Sequence, residues 1–142
     1  MRALLDVNVL IALLDSDHVS HTVAIEWFEA NARHGWASCP ISQNGCIRIM
    51  STPSYRNALP VPVVMERLAA ATGTRWHEFW TDDLSLLDPK VAEAPRLLGP
   101  RQLTDAYLLA LAVRHGGRLV TFDTAVPLKA VRGAEPRHLI VL

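Results

Sequence analysis

Hydrophobic residues occur along the chain in short continuous runs and in longer runs with helical spacing. A continuous run of β-branched and leucine residues is typical of a strand that is covered by helices on both faces. RALLD has this character, and so do RLVTFD and HLIVL near the end of the chain. Two shorter segments, WASCP and HEFW, are further predicted strands.

Between these strands, apolar residues recur every three or four positions, which predicts helices. Gly35 and Gly73 end two of the helical segments, and Pro40 ends the second strand. A loop marked by three prolines precedes the fourth helix (Pro53, Pro60 and Pro62). The predicted helices are VNVLIALLDSD, HTVAIEWFEANARHG with Val23, Trp27 and Phe28 on one face, ISQNGCIRIMS, VVMERLAAATG, and LTDAYLLALAVRHGG. Strands that alternate with helices favour an α/β three-layer domain around a mostly parallel sheet.

Composition places the chain among ordinary globular proteins. Its 142 residues suit a single domain spanning 1–142. Half of the residues are hydrophobic and 20% are charged, so we expect an apolar patch that meets a partner or a second copy. The 14 basic and 14 acidic residues cancel, so no overall charge attracts nucleic acid or anionic lipid. Twelve of the basic residues are Arg, which can bind phosphates locally.

The two cysteines and the N-terminal apolar run indicate the cellular compartment in which the protein is expected. Cys39 and Cys46 lack the spacing of a metal motif, and buried thiols in a reducing compartment are expected. The N-terminal apolar run is interrupted by Asp6 and Asn8 and is too short to span a bilayer. We therefore expect a cytoplasmic protein without a membrane partner.

Three acids stand where chemistry is expected. Asp6 and Asp123 each end a predicted strand, and Asp105 lies near the start of the strongest helix. Ligands bind outside the carboxyl ends of parallel strands, so these acids can share one crevice. Each acid alone has an ordinary explanation as a turn or helix cap. Together, three carboxylates repel one another unless a cation is bound, and oxygen ligands suit Mg²⁺ or Mn²⁺.

Other candidate sites carry less weight. His18 and His21 are three residues apart, but no nearby His or Cys completes a metal site, so roles at a helix start or on the surface are expected. Asp82 and Asp83 suggest a solvated turn after a strand. The chain has no Walker loop, no GxGxxG and no GxSxG motif, which removes the enzyme classes that need those loops.

Four motifs occur in a familiar order: LLDVNVL, CPISQNGCIRIMS, LTDAYLLALA and LVTFDTAV. Together they resemble the PIN-domain family, and most closely its VapC-type toxin branch. The resemblance implies a three-layer α/β/α fold and an endoribonuclease that depends on Mg²⁺ or Mn²⁺ and cuts structured RNA such as tRNA or rRNA. It also implies a homodimer that a cognate antitoxin silences.

The resemblance assigns roles to single positions. The matching positions are Asp6, Asp105 and Asp123 as catalytic metal ligands, Asn8 and Thr121 as polar supports, and Arg48 as an arginine near the substrate. Gln43 stands where the family usually has a catalytic Glu. Gln is neutral, so it supplies no charge to a cation, although its amide oxygen can hold a water or act as a weak ligand.

Gln43 leaves two functions open. The first is a nuclease whose metal is bound more weakly than usual. The second is a PIN-like module that binds RNA or its antitoxin without cutting. A phosphotransfer enzyme with Asp6 as nucleophile is disfavoured, because haloacid-dehalogenase-type phosphatases need a second Asp at the position of Asn8.

Overall fold

The computed structural model describes all 142 residues and contains one five-stranded sheet. The strand order is β3-β2-β1-β4-β5, and every pair of neighbours is parallel. The strands are β1 Ala3–Leu5, β2 Trp36–Ser38, β3 His77–Phe79, β4 Arg118–Thr121 and β5 Leu139–Val141. The helices are α1 Val7–Leu14, α2 His21–Asn31, α3 Pro40–Ser51, α4 Val61–Thr72 and α5 Leu103–Arg114.

Helices cover both faces of the sheet, and alternate residues of β1 contribute to two hydrophobic cores. Leu4 joins the core formed with α5, whereas Ala3 and Leu5 join the core formed with α1, α3 and α4. Six residues of α5 are buried, including Ala106 and Leu109. The predicted three-layer α/β/α fold with a parallel sheet is therefore confirmed.

Three details differ from the sequence-based expectations. Val23 on α2 is 48% exposed, because neighbouring Ala24 occupies the fully buried position on this helix. Val141 is 43% exposed, since β5 is an edge strand and is not covered on both faces. Pro62 lies in the first turn of α4 rather than in the preceding loop. A first-turn proline is tolerated because its missing N–H would have had no intrahelical partner.

The helices are short. The longest, α3, α4 and α5, have 12 residues each. None of the helices combines the length and the hydropathy that a bilayer crossing requires.

Candidate functional site at the carboxyl edge of the sheet

The three predicted acids lie near one another at the carboxyl edge of the sheet. Asp6 directly follows β1, and Asp123 comes shortly after β4, the neighbour of β1 in the sheet. Asp105 occupies the first turn of α5. Burial, the neighbouring Asp123 carboxyl group and the charge of Asp6 raise the pKa of Asp105 to about 7. The acids are therefore close enough to influence one another's ionisation.

Asp6 is a nearly buried carboxylate, with 5% of its surface exposed. Its Oδ2 accepts a 2.6 Å hydrogen bond from the Thr121 hydroxyl, and its Oδ1 accepts one of 2.7 Å from the backbone N–H of Val7. Burial raises the pKa of Asp6 and the Asp123 charge adds to this, while both hydrogen bonds oppose the shift; the net result is a raised pKa. Asp6 also caps the N-terminus of α1, so the ordinary structural role is present beside the site.

Thr121 connects the parts of this edge. Besides donating to Asp6, its Oγ1 accepts from the backbone N–H of Asp123 at 3.0 Å and from Asn8 Nδ2 at 3.3 Å. Asn8 Oδ1 accepts from the backbone N–H of Phe122 at 3.2 Å. Asn8 thus supports Asp6 indirectly, through Thr121 and the loop after β4.

Asp123 and Asp105 form a carboxyl pair. Asp123 Oδ1 accepts from the backbone N–H of Ala125 at 2.7 Å, which holds the loop in a tight turn. Burial and the nearby negative charges of Asp123 and Asp6 disfavour ionisation of Asp105. Asp105 therefore retains its proton at pH values where an isolated carboxyl group has lost it.

The donor atoms of this edge suit a hydrated divalent cation. The structure contains no group of three or more His, Cys, Asp and Glu side chains arranged to hold one metal ion directly. Mg²⁺, however, is usually bound through one or two carboxylates together with waters and phosphate oxygens. Asp105 and Asp123 provide such a pair, and buried Asp6 adds negative charge beside it. These residues fit Mg²⁺ or Mn²⁺ with part of its water shell retained.

Gln43 is bound to β2 rather than to the acids. Its Nε2 donates a 2.9 Å hydrogen bond to Oγ of Ser38, and none of its hydrogen bonds reaches an aspartate. Nearby, α3 packs closely on α1, since a Cβ on Gly45 would lie 2.7 Å from Val7 Cγ2. The close approach brings α3 to the start of α1, where Asp6 is located.

Arg48 lies on a different side of α3 from Gln43. Five residues of helix separate it from Gln43, which places it about 140° further around the axis. Arg48 is exposed, and its guanidinium makes no hydrogen bond or ion pair. A role in substrate binding stays a prediction.

The two histidines at the start of α2, His18 just before it and His21 as its first residue, have local partners, as expected. His18 Nδ1 accepts from the backbone N–H of Ser20 at 3.0 Å, and His21 Nδ1 lies 2.7 Å from the carbonyl oxygen of Ala12. Both therefore organise the start of α2.

Sequence reasoning missed three polar residues near α3. Ser38 and His77 were not candidates, yet Ser38 binds Gln43 and lies 2.8 Å from His77 Nε2. Asp82 was expected to be solvated, but its Oδ2 accepts from the N–H of Ile41 at 3.2 Å and its Oδ1 is buried without a partner. The expectation was wrong because Asp82 meets the N-terminus of a helix that is distant in the chain. The one local indication in the sequence was the position of Ser38 near the end of the predicted strand WASCP, at the same edge as the acids.

Comparison with known proteins gives a consistent match. The sequence model of the PIN domain matches residues 3–133. The chain is 55% identical over 142 residues to "Ribonuclease VapC44" of Mycobacterium tuberculosis (strain ATCC 25618 / H37Rv), and the match covers 100% of both proteins. It is also 45% identical over 142 residues to "Ribonuclease VapC38" of the same strain, with 99% of each protein covered.

A solved structure supports the fold. The crystal structure of VapBC2 from Rickettsia felis, bound to a DNA fragment from its promoter, superposes with a TM-score of 0.66. The superposition covers 100% of this chain and 99% of that chain at 13% sequence identity. At this identity the similarity is one of fold.

Proposed function

The chain belongs to the PIN domain family, and we propose that it is an endoribonuclease acting as the toxin of a toxin–antitoxin pair. The ribonuclease names of its full-length relatives support this activity. The observation that carries the proposal is the proximity of Asp6, Asp105 and Asp123 at one edge of the sheet. This arrangement accumulates negative charge in the crevice where α/β domains bind their ligands.

The proposed cofactor is Mg²⁺ or Mn²⁺ with part of its water shell, held by Asp105 and Asp123 directly and by Asp6 through its charge or a metal-bound water. A bound divalent cation withdraws charge from a phosphoryl group and promotes the ionisation of water. The protein contributes the orientation of its carboxylates. Thr121 and Val7 each take one oxygen of Asp6, so this side chain is fixed before any ligand arrives.

The proposed reaction is hydrolysis of an RNA phosphodiester that yields a 5′-phosphate and a 3′-hydroxyl. We propose structured RNA, such as tRNA or rRNA, as the substrate class. Because the net charge is zero, the RNA backbone has to be bound by local arginines rather than by the overall field. Exposed Arg48 is one candidate for such a contact.

The proposed protein partners are a cognate antitoxin and a second copy of the chain. Large apolar side chains remain exposed in the single chain, among them Val61 and Met65, which are four residues apart on α4. A helix face of this kind suits a protein interface. Cys39 and Cys46 are free buried thiols, which agrees with the proposed cytoplasmic location.

The test is cleavage of total RNA in the presence of Mn²⁺ or Mg²⁺. We expect discrete fragments with the unaltered protein, and none with EDTA or with Asp6→Asn. Asp17→Asn is the matched control, because Asp17 is an exposed acid outside the site. A fully active Asp6→Asn protein, or cleavage that persists in EDTA, would contradict the assignment.

A PIN-like binding module without activity is the second candidate, and the neutral side chain of Gln43 favours it. The same experiment separates the two functions. A binding module retains RNA without cutting it at any Mn²⁺ concentration. If Gln43→Glu alone then produced fragments, the missing charge at this position would be the cause.

A further inference from the structure

A chain of side-chain hydrogen bonds runs from Gln43 into the sheet. Gln43 Nε2 lies 2.9 Å from Ser38 Oγ, and Ser38 Oγ lies 2.8 Å from His77 Nε2. The backbone N–H of His77 donates to the carbonyl oxygen of Thr74 at 3.2 Å, just after α4. Ser38 is fully buried at the carboxyl end of β2. The chain of hydrogen bonds therefore connects α3, β2 and β3 close to the proposed site.

The direction of each hydrogen bond follows from the number of protons available. Gln43 Nε2 belongs to an NH₂ group, so it can only donate to Ser38 Oγ. The single hydroxyl proton of buried Ser38 is then given to His77 Nε2, which accepts it when a neutral His77 carries its proton on the other ring nitrogen. Ser38 Oγ can only accept from Gln43, so it selects the NH₂ end of the amide and rejects the oxygen end.

We propose that Ser38 and His77 are positioning residues that fix the orientation of the Gln43 amide at the proposed nuclease site. The inference rests on the proposed function for its consequence in catalysis. The NH₂ end is held inward, and Oε1, which accepts no hydrogen bond from the protein, is the free end. An oxygen can face a cation or a water that a cation orders, whereas a reversed amide would present N–H groups and repel the cation.

The surroundings of His77 keep it neutral. Burial lowers the pKa of His77 and the charge of Arg2 lowers it further; the backbone of Thr72 and the charge of Glu78 oppose this without reversing it. Arg2 and Glu78 form an ion pair of 3.0 Å, so their charges offset each other. On its other side His77 contacts the ring of Trp36, with centroids 4.5 Å apart. A neutral His77 is the form that the hydrogen-bond directions require.

Replacing Gln43 by Glu reverses these directions. A carboxylate has no proton to donate, so the Ser38 hydroxyl has to donate to it. Ser38 then offers only a lone pair to His77, so His77 Nε2 has to carry a proton. The carboxylate also adds a negative charge near the ring, which favours the protonated, charged form of His77.

The direct test is an NMR titration of His77, with its signals assigned by their loss in His77→Asn. In the unaltered protein we expect a pKa below the usual 6.5. Gln43→Glu should raise it by about 1 unit or more. Asn44→Asp is the matched control, since it places the same charge on the adjacent exposed residue. An unchanged pKa in Gln43→Glu, or an equal rise in Asn44→Asp, would overturn the hydrogen-bond direction.

The consequence for the site is tested by Mn²⁺ affinity, measured by calorimetry or electron paramagnetic resonance. Ser38→Ala removes the hydroxyl and leaves the Gln43 amide free to rotate. We expect Mn²⁺ binding to weaken about tenfold, as is usual when a residue that orients a metal-binding side chain is removed. Asn44→Ala should leave the affinity unchanged. Equal affinity in Ser38→Ala and the unaltered protein would overturn the positioning role. If the unaltered protein failed to bind Mn²⁺, the proposed cofactor would be wrong, while the His77 titration would still decide the hydrogen-bond direction.

Discussion

Thr121 and Asp6 are 115 residues apart in the chain, yet the hydroxyl of one donates a 2.6 Å hydrogen bond to the carboxylate of the other. Parallel pairing of β1 with β4 brings them together, with Leu5 opposite Val120 in the register. Each residue follows directly from this pair at the same edge. The hydrogen bond between Thr121 and Asp6 can therefore form only when β1 and β4 pair in this register, which also assembles the acidic site.

Thr121→Val should damage both stability and the site. Valine has nearly the same shape but leaves Asp6 Oδ2, the N–H of Asp123 and the amide of Asn8 without their shared partner. Loss of buried hydrogen-bond partners costs about 1–3 kcal/mol each. Urea unfolding measures the loss, with Thr22→Val on the exposed side of α2 as control. Equal unfolding midpoints for both variants would contradict the role of Thr121.

Asp105→Asn should stabilise the metal-free protein at alkaline pH. Between the ordinary pKa of 3.8 and the folded value of about 7, folded Asp105 keeps a proton that the unfolded chain has lost. Stability therefore falls as pH rises through this range, because ionisation is disfavoured in the folded state. Asn removes this loss.

Thermal unfolding in EDTA at pH 5 and pH 8 measures the effect of Asp105→Asn. We expect a higher Tm for the variant at pH 8 and a smaller difference at pH 5. Asp17→Asn, at an exposed position, should show neither change. A variant less stable than the unaltered protein at pH 8 would show that repulsion among the acids is not significant.

Gly45→Ala should separate α3 from α1. The new Cβ would lie 2.7 Å from Val7 Cγ2, which is too short for two carbon atoms. Overpacking of this kind costs about 1–3 kcal/mol. Gly99→Ala is the matched control, because nothing lies within 4 Å of its Cβ position. Calorimetric unfolding of both variants gives the comparison, and equal Tm values would mean that α1 and α3 adjust freely.

Tyr55→Phe should destabilise the protein in a pH-dependent way. Burial alone would raise the pKa of Asp15, but hydrogen bonds from the Tyr55 hydroxyl, the Asp17 backbone and Asn57 outweigh it, and the pKa is lowered. The stabilisation is therefore present above the unfolded pKa of 3.8 and is lost as pH falls through the lower folded value.

Urea unfolding of the Tyr55→Phe variant at pH 7 and at pH 3 tests this. At pH 7 we expect a loss of about 1–3 kcal/mol, because a buried carboxylate loses a donor. At pH 3 the difference from the unaltered protein should shrink as Asp15 becomes protonated. A difference that stays constant between the two pH values would assign the loss to packing of the ring instead.

Much of the fold could be predicted from the local pattern of apolar and polar residues. The runs that end at Asp6 and Asp123 are strands, and LTDAYLLALAVR is α5, with Asp105 in its first turn. The identity of the candidate acids also followed from the sequence, because a strand end and a helix start are local features. The edge position of β5 and the exposure of Val23 did not follow, since both depend on which neighbour covers them.

The sequence by itself determined the alternation of strands and helices and the positions of the acids, because periodicity and termini are properties of a few adjacent residues. Tertiary structure alone decided that Thr121 holds Asp6, that Asp105 lies near Asp6 and Asp123, and that Gln43 binds Ser38. The bond between Ser38 and His77 spans 39 residues. Such contacts depend on strand register and helix packing, which are set only when the whole chain closes around its two cores.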